Sequence, residues 1–289
     1  MNKTVILCLV LLLLIAASTG CKVAPPDAGN VATQAETVGG NVSSFNSTFS
    51  GNMDIVVTGG KNPSKLNMSL SGTNITDVSG DKSETLLDTK TLKPGATAME
   101  TMHIESYVSD KWQYLNIPVD TAKANTWYKT PVKDNDNILQ SSQLAGALGL
   151  LKNATEVTYL SADKINGVSC YMITAKPDPK STIAFMLSQA QTHYSLGLSD
   201  TDFSGIDYSK ALQNVQIKLW VSRKDFKIIK ATTSITLELT PEQLAASSGS
   251  FDTMTFSLNV SLIFSRYNSA VKITVPPDAL NASELSPGS

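Results

Sequence analysis

Apolar and polar residues alternate at a period of two along most of this chain, the spacing of half-buried β-strands. Leu66, Met68 and Leu70 alternate with Asn67, Ser69 and Ser71. Met102, Ile104 and Ser106 oppose His103, Glu105 and Tyr107, and Ser109-Asp110 reads as a turn into Trp112, Tyr114 and Asn116. Residues 155–160 and 168–175 flank Asn166-Gly167, a dipeptide that favours the tight turn of a two-residue hairpin. Val215, Ile217, Leu219 and Val221 mark another strand, residues 228–239 and 254–264 continue the pattern, and Val271, Ile273 and Val275 predict a closing strand.

Two segments change period. Residues 137–153 place Ile138, Ser141, Leu144, Leu148 and Leu151 at helical spacing. Residues 181–197 place Ile183, Met186, Leu187, Ala190 and Tyr194 on one face, with Ser181 as a candidate N-cap. A short helix over residues 208–212 also fits. The order predicts an α+β protein, mainly β, in which helices cover the apolar face of a curved antiparallel sheet.

The start of the chain follows a different rule. Lys3 precedes an apolar run over residues 5–17, and Ser18, Thr19 and Gly20 lead into Cys21. A secretory signal has this three-part form, and its apolar core is too short to span a bilayer. The small residues before Cys21 resemble a lipoprotein signal, which implies that Cys21 becomes the lipidated first residue of the mature chain, carrying acyl chains such as palmitate. An ordinary signal peptide cut before Cys21 is the alternative. Residues 1–20 are thus expected to be the signal, and 21–44, rich in small and polar residues, a flexible tether. Residues 45–276 are expected as one domain and 277–289 as a disordered tail. The expected place is extracytoplasmic, at the outer face of the cell membrane or the periplasmic side of an envelope membrane.

Composition narrows the chemistry. The chain has 289 residues, 42% hydrophobic and 17% charged, with a formal net charge of −2. No basic stripe supports nucleic acid binding. Of three cysteines, Cys8 falls in the signal and Cys21 at its end, so Cys170 cannot form an intramolecular disulfide with a mature partner. Its neighbours read as a strand, which makes it a small buried residue rather than a nucleophile. His103 and His193 have no second ligand at metal-binding spacing, and neither a nucleophile elbow nor a phosphate-cradling loop is present. The expectation is a non-catalytic protein with no metal and no cofactor.

Four phrases together resemble the LolA-like and LppX-like lipoprotein carriers. These are the hairpin of residues 166–173 (NGVSCYMI), the strand pair of residues 216–230 (QIKLWVSRKDFKIIK), Trp127-Tyr128-Lys129 after Asp110-Lys111-Trp112-Gln113-Tyr114, and Ser265-Arg266-Tyr267-Asn268 before residues 271–276. The resemblance implies a half-open barrel, with a space between sheet and helices that binds acyl chains and no catalytic residues. The expected lining is Leu144, Leu148, Ile183, Met186 and Leu187 on the helices, and Trp220, Phe256 and Leu258 on the strands. The same side chains could instead pack as a dry core. The expected partners are the membrane, through lipid on Cys21, and a lipid or acyl-chain ligand, with the chain a monomer. A module holding a protein partner on a filled core is the alternative.

Overall fold

Among the described residues, twelve strands form one sheet, and most of their spatial order follows from their hairpins. The structure is a computed structural model that describes residues 26–60, 63–117, 126–132, 142–179, 211–242 and 252–284. β1 (Ser44–Thr58), β2 (Ser64–Asp77), β3 (Lys82–Leu92), β4 (Glu100–Ser109), β5 (Trp112–Ile117) and β6 (Thr126–Pro131) form one meander. β7 (Ala154–Ile165), β8 (Val168–Pro177), β9 (Leu212–Ser222), β10 (Ile228–Leu239) and β11 (Thr253–Ser265) form a second. The two join where β1 pairs antiparallel with β11, from Asn46 opposite Ser265 to Thr58 opposite Thr253. β12 (Ser283–Glu284) pairs parallel with β6. The sheet is strongly curved and unclosed, a half-open barrel of the α+β class expected from the alternation.

Local chemistry sets the register. Asn166 and Gly167 both have positive φ, at 48° and 86°, as do Asp110 and Lys111, at 54° and 68°. Two successive left-handed residues match the right-handed twist of the strands they join. Within the sheet, Gly72 lies opposite Phe49, and a Cβ there would collide with the Phe49 ring and the Leu86 carbonyl. A side chain at position 72 would therefore force β1 and β3 away from β2.

Because side chains alternate across a strand, the register sorts them onto two faces. Phe45, Phe264, Ile217, Leu219 and Ile173 share the apolar face and are each no more than 2% exposed. Helices α1 (Ala28–Gly39) and α2 (Gln143–Lys152) cover that end of it. Asp27 caps α1 by accepting from the Gly29 N–H, and Ser142 caps α2 by accepting from the Ala145 N–H. Gly39 lies against Leu148, so close that a Cβ would run into the leucine methyls. The Gln143 carbonyl oxygen accepts from the Ser47 hydroxyl at 2.6 Å, tying α2 to β1. No described helix is long and apolar enough to cross a membrane.

Two expectations change here. Ala28–Gly39, placed by composition in the tether, form a helix with Val31, Ala32 and Ala35 buried against the sheet. Its apolar stripe is built from alanine, glycine and one valine, which composition reads as a linker. At the other end, residues 271–275 do not form a closing strand. Ile273 and Val275 instead pack with Tyr107, Tyr114, Trp112 and Trp127 on the opposite face of β4–β6. The segment expected as a disordered tail continues into α3 (Pro277–Leu280), with Ala279 fully buried, and then β12.

The expected helix over residues 137–153 is present as α2 in its described part. The helix expected over residues 181–197 lies outside the described residues, as does most of the short one.

Candidate functional site

The apolar face changes character along its length. Beneath α1 and α2 it is a dry core. Further along the same strands Ile235 and Leu239 on β10 are still buried, but other large side chains are only half-buried: Met53 and Ile55 on β1, Met68 on β2, Leu237 on β10, Phe256 and Leu258 on β11. The register brings them together, with Leu258 opposite Met53 and Met53 opposite Met68, while Phe256 pairs with both Ile55 and Leu237. Leu258 is six residues from Phe264, about 20 Å along β11 at the strand rise.

A trough of about 700 Å³ lies on the opposite face rather than between sheet and helices. Its floor is Ser50, Asn52, Ser69, Ser71, Asn259 and Ser261, with Lys90 and Lys218 towards its two sides. The side chains of its floor are polar, because the register that turns Met53 and Leu258 to one face turns Asn52 and Asn259 to the other.

The residues expected at the site separate into four groups. Phe256 and Leu258 stand on the apolar face. Leu144 is 1% exposed within the core, and Leu148 packs beside it, so these two belong to the dry end. Ile183, Met186 and Leu187 lie outside the described residues, as do Cys21 and His193.

Trp220 is a correction. It sits between Leu219 and Val221, both core residues, and therefore points to the opposite face. There its indole N–H donates to the Asp163 carboxylate at 2.7 Å, and Lys230 Nζ lies 4.7 Å from the ring centroid. Sequence alone leaves the parity of β9 open, because Leu219-Trp220-Val221 is apolar on both faces.

The indole, followed by the Lys164 backbone N–H and the charge of Lys230, holds the Asp163 carboxyl below its usual range. Trp220→Phe is expected to raise that pKa towards the ordinary value. A depressed carboxyl stabilises the fold above its unfolded pKa, near 4, and loses that contribution as pH falls through its folded value. An NMR titration of the Asp163 side chain reads it directly, and an unmoved midpoint would show that the indole is not what holds it.

Cys170 is fully buried opposite Ser222 and Asp163, and burial pushes its thiol pKa up. This is the environment of a packing atom, not of an activated nucleophile. His103 lies on an exposed strand face, with Nδ1 2.8 Å from Asp88 and Nε2 3.8 Å from Glu105. Burial and the Glu105 charge raise the Glu84 pKa nearby.

Fold and faces together define a half-open barrel protein with α1 and α2 on one side of its sheet and a polar hollow on the other. The chain belongs to a family of unknown function, DUF6612, whose model matches residues 27–284. No curated protein matches it. Among solved structures it is similar to the lipoprotein LppX of Mycobacterium tuberculosis, with 12% identity, 86% of this chain and 100% of that chain covered, and a TM-score of 0.37. It is similar to LprF of Mycobacterium bovis, with 12% identity, 88% and 99% covered, and a TM-score of 0.42. A LolA superfamily protein of Nitrosomonas europaea shares 11% identity, with 86% and 96% covered and a TM-score of 0.22. These are proteins of the kind that the hairpin phrases resemble.

Proposed function

We propose that the protein is an extracytoplasmic lipoprotein, anchored through acyl chains on Cys21, that binds a lipid or other apolar ligand without catalysis. The half-buried apolar face around Met53, Phe256 and Leu258 supports this reading. Each methylene of a ligand laid there contributes roughly 0.8 kcal/mol, offset in part by the cost of immobilising the chain. The flexible thioethers of Met53 and Met68 suit acyl chains of varied shape. The early start of α1 also changes how the anchor works. Six residues from Cys21 to the Asp27 cap reach at most about 20 Å, so the domain would sit close to the membrane rather than swing on a long tether.

Cys21→Ser is expected to move the protein from the membrane to the soluble fraction. Native mass spectrometry of that full-length variant is then expected to show bound mass in the lipid range, recoverable by organic extraction. A clean apo mass with no shift on adding phospholipid would sink the ligand reading, and retention on the membrane would sink the anchor.

The dry core beneath α1 and α2 and the polar trough favour a second reading, an interaction module that holds a protein partner and needs no ligand cavity. Cross-linking that recovers a specific protein from the membrane, together with an empty lipid extract, would decide for it.

A further inference from the structure

Of the buried polar side chains on the apolar face among the described residues, Ser47, Asn74 and Thr76 have hydrogen-bond partners and one does not. Ser47 donates to Gln143, Asn74 Nδ2 donates to Thr85 Oγ1 at 2.8 Å, and Thr76 Oγ1 donates to Asn74 Oδ1 at 2.7 Å. Thr89, four residues beyond Thr85 on β3, is 7% exposed, and its hydroxyl has no hydrogen-bond partner. Its register partners are Leu70 on β2 and Met102 on β4, so the hydroxyl is flanked by apolar groups. The other unpartnered buried atoms among the described residues, Asn46 Oδ1 and Asn116 Oδ1, lie on the opposite face.

A buried hydroxyl without a partner is costly, and such groups in folded proteins usually meet a water, an ion or a ligand. Thr89 shares the apolar face with the proposed ligand surface. The row from Thr89 through Leu70 and Gly51 to Val260 crosses three strand spacings, about 14 Å, and Met53 and Leu258 stand in the next row.

We infer that Thr89 is a specificity-determining residue, whose Oγ1–H donates to a carbonyl oxygen of the bound lipid. This rests on the lipid-binding reading above and narrows it from any apolar ligand to a carbonyl-bearing acyl lipid, an ester or a fatty acid. A hydrocarbon tail offers no acceptor and leaves Thr89 unsatisfied. An ester carbonyl accepts its proton, while the chain runs over Leu70 towards Met53 and Leu258. Met102, the partly exposed member of the row, then lies on the headgroup side.

The test compares a short-chain diacyl phospholipid with its dialkyl ether analogue, identical except for the two carbonyls, by calorimetry on the full-length Cys21→Ser protein. The diacyl lipid is expected to bind on the order of tenfold more tightly, the worth of one hydrogen bond that satisfies a buried donor. Thr89→Val, which keeps the shape and removes the hydroxyl, is expected to abolish the difference while melting no lower than its parent. Thr89→Ser is expected to keep it. Equal affinity for the two lipids in the parent, or an ester preference that survives Thr89→Val, would overturn the assignment while leaving lipid binding intact. Binding of neither lipid would instead remove the reading on which the assignment rests, and the assignment with it. The parent's ester-to-ether ratio needs no substitution at position 89, so the assignment stays testable if a variant fails to fold.

Discussion

Phe45→Ala is expected to destabilise the domain by about 3–5 kcal/mol, the range for removing a buried phenylalanine and leaving a cavity behind. Phe45 is fully buried at the start of β1, with its ring 6.1 Å from Phe264 and 6.3 Å from Tyr267, centre to centre. Tyr267 in turn donates its hydroxyl to the Ile228 carbonyl at 2.5 Å, so this aromatic group ties β1, β10 and the turn after β11 together. The strands it holds are the ones through which the two meanders join. At a few degrees per kcal/mol for a domain of this size, the melting temperature should fall by about 10 °C. The half-buried Phe256 gives the contrast: Phe256→Ala removes a side chain that the core does not enclose, and it should cost about 1–2 kcal/mol. Thermal melts of the two variants side by side test both halves of the statement. Equal losses would mean that the apolar face is sealed from end to end, and the proposed ligand surface would go with it.

Val31→Asp should be as damaging, though the residue lies in a segment whose composition reads as linker. Val31 is 2% exposed, on the face of α1 that meets the sheet and α2. An aspartate there would be a carboxylate buried in a cluster whose described members are all apolar or aromatic, a change that costs several kcal/mol or detaches the helix. Detachment would uncover Ala175 and Ile217, which belong to the same core cluster. Urea unfolding should show a lower midpoint, and limited proteolysis should cut between Pro26 and Ser44 first. Full stability in Val31→Asp would restore the tether and remove α1 from the core. Gln34→Glu, at an exposed position of the same helix, is the matched control and should change little.

The strands with one purely apolar and one purely polar set of positions were legible from sequence, as was the Asn166-Gly167 turn, whereas the turn expected at Ser109-Asp110 falls one residue later, at Asp110-Lys111. β3 was not, because its apolar-face positions are Ser83, Thr85, Leu87, Thr89 and Thr91, while Leu86 and Leu92 point the other way. Periodicity of hydrophobicity is blind to such a strand, since burial is decided by the neighbours that its register selects. β1 was hidden in part by Ser47 and Gly51, which interrupt its apolar series of Phe45, Phe49, Met53, Ile55 and Val57. In each case hydrophobicity misses the burial of small or polar groups, and that burial depends on hydrogen bonds and close approach.

The candidate site divides the same way. Phe256 and Leu258 could be named from alternation along one strand. Trp220 could not be placed, because β9 carries apolar residues on both faces and only its pairing with β8 and β10 sets which way each points. Thr89 gave no signal at all, since a threonine in a strand is unremarkable until its neighbours prove unable to bond it.

The sequence by itself determined most of the strands, the Asn166-Gly167 hairpin turn and the α+β class, because these depend on residues adjacent or alternating along the chain. The tertiary structure alone decided that the segment before β1 is a core helix and that the C-terminal segment caps an aromatic cluster. It also decided that the polar face is the hollow one and that one hydroxyl is stranded among apolar groups. Those outcomes arise from contacts between strands and helices far apart in sequence, and no local period encodes them.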